Sequence, residues 1–377
     1  MRPRLRSRPA VTGPGGRVVV VSASVGGGHD GAARELAQRL RAAGRTVDLV
    51  DALDLLPGRL GHLLCRFYRL QLTVAPRSWG WLLAALDTRA LTAVGRGVAR
   101  LAVRRLEAIL DADVVLMVST YPMATQALAR VRARGHLRAP LVVHLTDPSV
   151  HRLSISRHAA LTVAPTDVAA RQARRLGAGP TVVVPPLVAT GFRPVTGPAE
   201  RDRLREAFHL PARLRLALVV SGSWGVGDIE RTVTDIAATG LATPVVACGR
   251  NEALRARLVA SGHRHVMGWV DDMAGLIRSC DVVVQNAGGL TAAEALASEV
   301  PVLTYRCLPG HGRTNAAALD AEGLVPWIQS RGGLAQGLTC AGAAGTAVGV
   351  DPRQAELDAA LAALLPAASA AVARPAC

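Results

Sequence analysis

Residues 17–33, RVVVVSASVGGGHDGAA, decide the fold. The run at 17–23 reads as a strand buried on both faces, residues 26–28 as a glycine loop, and residues 30–43 as a helix. Strand, glycine-rich turn and helix in that order open a Rossmann-like unit.

Further apolar runs at 46–50, 113–118, 141–145, 160–163 and 182–184 are separated mostly by Ala/Arg-rich segments of helical length. The segment PLVATGFRPVTGPA at 186–199 has the Pro, Gly and Thr content of a linker. The alternation then restarts at 214–220, 244–248, 265–267, 281–285 and 301–305. The chain therefore divides into a basic arm (1–16), a first α/β domain (17–185), the linker, a second α/β domain (200–330) and an Ala/Gly-rich tail (331–377) with a helix around 354–365. Two domains imply a cleft between them. A length of 377 residues agrees with two cores, and a content of 50% hydrophobic but 3% aromatic residues calls for cores of Val, Leu and Ala.

The net charge of +16 is compatible with nucleic acid, an anionic membrane or anionic substrates. All 44 basic residues are Arg, a uniformity that reflects genome base composition more than function, so clustering matters more than the total. Six scattered cysteines without a C-x-x-C pair argue against a zinc site or a disulfide framework and fit a reducing cytoplasm. No apolar stretch reaches the roughly 18 residues of a membrane span, and the apolar run after the basic start is too short for a signal peptide.

Five motifs stand at strand ends. In SASVGGGHDGAA (22–33), Gly27 and Gly28 allow close approach of a ligand to a helix N-terminus, and His29 at the cleft mouth can take a proton from a hydroxyl or hydrogen-bond a phosphate or headgroup. In HLTDPSVHR (144–152), Asp147 projects from a strand end as a rival general base, or simply starts a turn ahead of Pro148. In SGSWGVGD (221–228), the amides of Gly222, Ser223, Trp224 and Gly225 can face a diphosphate. In QNAGGLTAAEALASEVPVLTY (285–305), Gly288, Gly289 and Thr291 shape a helix start for phosphate, and Glu294, one turn on, can accept both hydroxyls of a ribose or merely complement the helix dipole. In LPGHGRTNAAAL (308–319), His311, Arg313 and Asn315 can bind sugar hydroxyls or phosphate.

Together these elements resemble the glycosyltransferase group (family 28) that contains the monogalactosyldiacylglycerol synthases and the peptidoglycan N-acetylglucosaminyltransferase. The resemblance is closest to the diacylglycerol glycosyltransferases. It rests on G-G-G-H at 26–29, N-A-G-G-x-T-x-x-E-A at 286–295 and G-x-x-x-x-N at 310–315, and spans roughly residues 17–327. It implies a GT-B architecture of two facing Rossmann-like domains, the second binding a UDP-sugar and the first the acceptor. It also implies inversion at the anomeric carbon, no tightly bound cofactor and no obligatory metal. By the same carry-over, Asn286 and Leu290 join the donor site with Gly288, Gly289, Thr291, Glu294, His311 and Asn315. Gly268, Trp269 and Val270 approach the uracil, unless Trp269 is core. The acceptor site takes Gly27, Gly28 and His151, although RLSIS (152–156) stands where relatives often carry an aromatic residue.

Residues 59–106 hold nine Arg against one acidic residue, Asp87, together with Phe67, Tyr68, Trp79 and Trp81. Leu60, Leu63, Leu64 and Phe67 define an apolar helical face flanked by Arg59, Arg66 and Arg69. That pattern is either an amphipathic core helix or a basic helix for an anionic membrane interface, and the resemblance favours the second, with Phe67, Trp79 and Trp81 toward the lipid acceptor. The expectation is a cytoplasmic protein at the inner face of the cell membrane that transfers a hexose, galactose or glucose, from a UDP-sugar to diacylglycerol or a similar lipid. Alternatives are transfer to a polyprenyl-linked or specialised-metabolite acceptor, a UDP-sugar epimerase, a catalytically lapsed nucleotide-sugar binding module, and a basic nucleic-acid-binding protein. The last lacks any helix-turn-helix, finger or RNA-binding signature.

Overall fold

The computed structural model describes residues 16–74, 78, 89–135, 138–286, 288–341, 359, 361, 363 and 364. Trp79, Trp81, most of the basic arm and most of the tail lie outside the described residues.

The first domain runs β1 (Arg17–Ser22), α1 (Gly27–Ala42), β2 (Thr46–Asp51), α2 (Leu60–Val74), α3 (Arg89–Ile109), β3 (Val114–Ser119), α4 (Pro122–Ala133), β4 (Leu141–His144), β5 (Leu161–Ala164), α5 (Asp167–Arg175) and β6 (Thr181–Val183). Its six strands are parallel in the order β2-β1-β3-β4-β5-β6. Val18 to Val21 are completely buried, which is why an unbroken valine run is stable there.

The second domain runs α6 (Pro198–Ala207), β7 (Leu216–Val220), α7 (Ile229–Thr239), β8 (Thr243–Ala247), α8 (Glu252–Ala260), β9 (Val266–Met267), α9 (Met273–Ser279), β10 (Val282–Gln285), α10 (Leu290–Ala297), β11 (Val302–Tyr305), α11 (His311–Ala321), β12 (Trp327–Ile328) and α12 (Arg331–Cys340). Its sheet is again six parallel strands, β12-β11-β10-β7-β8-β9.

Strand order reverses between β1 and β3 in one sheet and between β7 and β10 in the other. Doubly wound sheets bind ligands at the carboxyl ends of the strands beside such a reversal. Both glycine motifs, at 26–28 and 288–289, leave the sheets there.

Four features differ from the sequence reading. Helix α1 begins at Gly27, so the third glycine and His29 lie in its first turn. The two-residue strand β12 was too short for any pattern to reveal. Helix α12 places Leu334 and Leu338, both fully buried, in the second core, so that domain continues past residue 330 to at least 340. Leu361, with Leu364 against it, packs into the first core beside Val184 and Leu187, so the chain returns to its first domain. The linker is anchored at both ends, by Leu187 in the first core and Phe192 against the second.

Candidate active site

Four helices carry side-chain caps of their own. Thr166, Asn251, Asp272 and Ser330 each accept from an amide in the first turn of α5, α8, α9 and α12. The three helices that open on the cleft, α1, α10 and α11, start after Gly26, Gly289 and Gly310, and none has a side-chain cap. Their first amides and the positive end of each dipole are left for an anion or a polar ligand.

His29 sits across the reversal point of the first sheet. Its Nδ1 lies 2.8 Å from the Thr120 carbonyl oxygen and 2.8 Å from Thr146 Oγ1. A carbonyl can only accept, so Nδ1 carries the proton and a neutral imidazole keeps its lone pair on Nε2. Tyr121 packs edge-on against the ring, centroids 5.3 Å apart, and fixes its plane.

Asp147 and Asn315 join the domains. Asn315 Nδ2 donates to Asp147 Oδ1 at 3.1 Å, and Asn315 Oδ1 accepts from the Ser149 amide at 3.2 Å and from its hydroxyl. Ser149 Oγ also pairs with Thr314 Oγ1 at 3.0 Å, and the Val168 amide donates to Glu322. Gly289 has φ 63°, and a Cβ there would come within 3.3 Å of Asp147 Oδ1. Only glycine suits both that conformation and that approach. His311 is lowered from its ordinary value by burial, partly offset by Asp147, with nearby His29 adding to the lowering. His29, Asp147 and His311 thus form one cluster spanning both domains.

Glu294 lies beyond the first turn of α10, which contains no acidic residue, so the helix dipole does not explain it. Burial pushes its carboxyl up to about 8. It has no hydrogen-bond partner among the described residues, which suits a group that waits for donors. Thr291 lies at the start of the same helix.

The loop at 222–225 follows β7 and is braced to β10. Asn286 Nδ2 donates to the Val226 carbonyl at 2.8 Å, the Asn286 carbonyl accepts from the Leu308 amide at 2.8 Å, and Gln285 Oε1 accepts from the Gly288 amide. Trp269 is half exposed and so is not core; the Arg250 guanidinium stands 4.3 Å over its ring, and its Nε1 donates to Asp271 at 2.9 Å. Val270 packs against the second core, leaving its main chain for any ligand contact. A Cβ on Gly268 would come within 2.9 Å of Glu252 Oε1.

Several residues expected to meet a ligand have partners within the protein. Asn286, expected on the donor, spends its amide bracing the two loops. Asn315, also expected on the donor, is engaged across the cleft with Asp147 and Ser149. His151, expected on the acceptor, accepts from the Leu153 amide through Nδ1 at 3.1 Å and so caps the short 3-10 helix at Arg152–Ser154. Leu290, expected on the donor, contacts Gly31 on α1, where a Cβ would meet its Cδ2 at 2.7 Å. Phe67 points away from the cleft, and the neighbouring Tyr68 enters it, edge-on to Trp224 with centroids 5.4 Å apart. Gly27 and Gly28 have open space where side chains would be. Of the missed residues, Tyr68 and Ser149 act through contacts distant in sequence, and Gln285 through Gly288 and Thr304. Tyr68 could have been found only as the polar-tipped ring among the exposed apolar residues of α2.

Among the described residues no three His, Cys, Asp or Glu side chains gather as a metal-binding group, and no helix is long and apolar enough to cross a membrane.

No protein-family model matches the chain. Processive diacylglycerol β-glucosyltransferases of Bacillus cereus and Bacillus anthracis are 24% identical over 325 residues, covering 83% of this chain and 82% of theirs. Among solved structures, Acinetobacter baumannii MurG superposes with a TM-score of 0.52 at 15% identity, over 92% of this chain and 98% of that one. Anabaena Alr3699/HepE in complex with UDP superposes at 0.51 and 16%, over 86% and 89%. The chain therefore has the GT-B fold, and by sequence it is similar to the processive diacylglycerol β-glucosyltransferases.

Proposed function

We propose that the chain is an inverting glycosyltransferase that moves a hexose, glucose or galactose, from a UDP-sugar to diacylglycerol or a similar lipid at a membrane surface. The observation that carries this reading is His29. It is held in the tautomer that keeps the lone pair on Nε2, beside the reversal point of one sheet, and near His311 at the glycine-led start of α11 in the other domain.

The acceptor hydroxyl gives its proton to His29 Nε2 as its oxygen forms a bond to the anomeric carbon. The bond from that carbon to the diphosphate breaks on the opposite face, and UDP leaves with the electron pair. The main-chain amides of 222–225 and at the start of α10 stabilise the developing charge without the need for a cation. Glu294 receives the ribose hydroxyls, and the main chain at 268–270 lies along the base. Asp147 is held by Asn315 and orients the cleft, which leaves the base role to His29.

The lipid surface is met by α2. Leu63, Phe67, Leu70 and Val74 are 56%, 61%, 60% and 73% exposed, and Arg59, Arg66 and Arg69 stand exposed among them. An outward apolar face edged by Arg complements an anionic bilayer. Diacylglycerol glucosylation, the activity for which those relatives are named, agrees with such an acceptor.

The test is UDP release from UDP-glucose, UDP-galactose and UDP-N-acetylglucosamine in turn, with anionic vesicles that contain or lack diacylglycerol. Release that requires diacylglycerol and yields a glycolipid supports the reading. Release independent of any acceptor lipid, or none with any donor, rejects it.

A further inference from the structure

Helix α2 has two faces with different destinations. Positions 61, 65, 68 and 72 share one side, where Gly61 and Leu72 are buried and Cys65 and Tyr68 half-buried. The exposed leucines and Phe67 occupy the other. Tyr68 leaves the helix toward the cleft, and burial raises its hydroxyl, with Asp147, Tyr121 and Cys65 around it adding to the shift. The phenol is therefore neutral, and its contact with Trp224 is one of ring edge against ring face at an interplanar angle of 69°. Trp224 belongs to the second domain, within the glycine loop at 222–225. One helix thus carries both the outward apolar face and the ring that touches the donor loop across the cleft.

We propose that Tyr68 is a positioning residue that links the seating of α2 on a lipid surface to the donor loop, so that the protein holds a uridine diphosphate more tightly when seated than in free solution. The proposal rests on the glycosyltransferase and lipid-surface reading above. Seating fixes α2 against the first domain, and Tyr68 then holds Trp224 and its loop in the arrangement that receives the diphosphate. By linkage, nucleotide tightens seating by the same factor.

The experiment is calorimetry of UDP with the full chain, with and without vesicles of phosphatidylglycerol and phosphatidylcholine that contain no acceptor. The wild type is expected to bind UDP at least about five-fold more tightly with vesicles. Tyr68→Phe keeps the ring and keeps the gain; Tyr68→Ala and the bulkier Tyr68→Leu bring the ratio close to one while still co-sedimenting with vesicles. The ratio, not the affinity itself, is the readout, because a merely structural role would weaken UDP binding equally in both conditions. A gain that survives in both Tyr68→Ala and Tyr68→Leu overturns the proposal, as does a wild type that co-sediments with vesicles and shows no gain. Failure of the underlying reading is distinct: no UDP binding in either condition rejects the donor site, and no co-sedimentation rejects the lipid surface, and the proposal falls with either.

Discussion

Glu294 is the residue whose titration reports on the proposed donor site. Its carboxyl, raised from the ordinary 4.5 to about 8 by burial, is neutral at pH 7 in the empty cleft. Ribose hydroxyls are received best by the ionised form, so binding should expel the proton. UDP affinity should therefore rise with pH up to about 8 in the wild type more steeply than in Glu294→Gln. Calorimetry in buffers of different ionisation enthalpy checks the released proton, and identical pH profiles for the two proteins would remove Glu294 from the ribose site. For the empty fold the sign follows from proton binding: the folded state holds this proton more tightly than the unfolded state. Its contribution to stability thus declines as pH rises between 4.5 and about 8. Above about pH 8, where the carboxylate is ionised, Glu294→Ala should weaken UDP binding by about 1.5–3 kcal/mol, the value of a charge-assisted hydrogen bond. The positions of His29 and Glu294 were legible because a glycine motif places each on the helix that follows a strand. The roles of Asn286 and Asn315 were not, because each depends on which distant loop faces it.

Elements were legible where the pattern was long and local. The buried valine strand and its parallel partners follow from uninterrupted apolar runs, whereas the start of α1 was misplaced because glycines read as loop. Helix α2 shows the opposite difficulty: its periodicity identifies an apolar face, but the face turns outward, and only the packing of Gly61, Cys65, Tyr68 and Leu72 decides this. The contact between α1 and α10 gives a prediction at this scale. Gly31→Ala favours the helix by about 1 kcal/mol, yet its Cβ must displace Leu290, whose Cδ2 lies 2.7 Å from that position. The melting temperature should stay level or rise, while transfer falls about ten-fold as the domains are set slightly apart. Adding Leu290→Ala to Gly31→Ala should recover part of the loss. Unchanged kinetics in Gly31→Ala would show that this contact does not set the closed cleft.

At the scale of the whole molecule, two sheets present their reversal points to one cleft, and a basic helix at its edge turns apolar residues outward. The two-domain plan was legible from the alternation of strands and helices and from the linker. The closure between the domains was not, because it depends on pairings, Ser149 with Asn315 and the Val168 amide with Glu322, that no motif specifies. Phe67→Asp together with Leu70→Asp should lower vesicle affinity at least ten-fold, since each apolar ring or branch contributes about 1.5–3 kcal/mol on burial. The melting temperature should not move, because both side chains are exposed. Vesicle flotation checks the first and calorimetric melting the second; undiminished flotation would move the lipid surface elsewhere.

In the proposed mechanism, His29 activates the acceptor for transfer from a UDP-sugar. The measurement that tests it most directly compares wild type with His29→Ala for UDP release from the active donor in diacylglycerol vesicles, with UDP affinity measured on the same preparations. The expected result is a loss of release of about 10²–10⁴-fold with UDP affinity preserved. Wild-type rates in His29→Ala, or release and UDP affinity lost together, would contradict it.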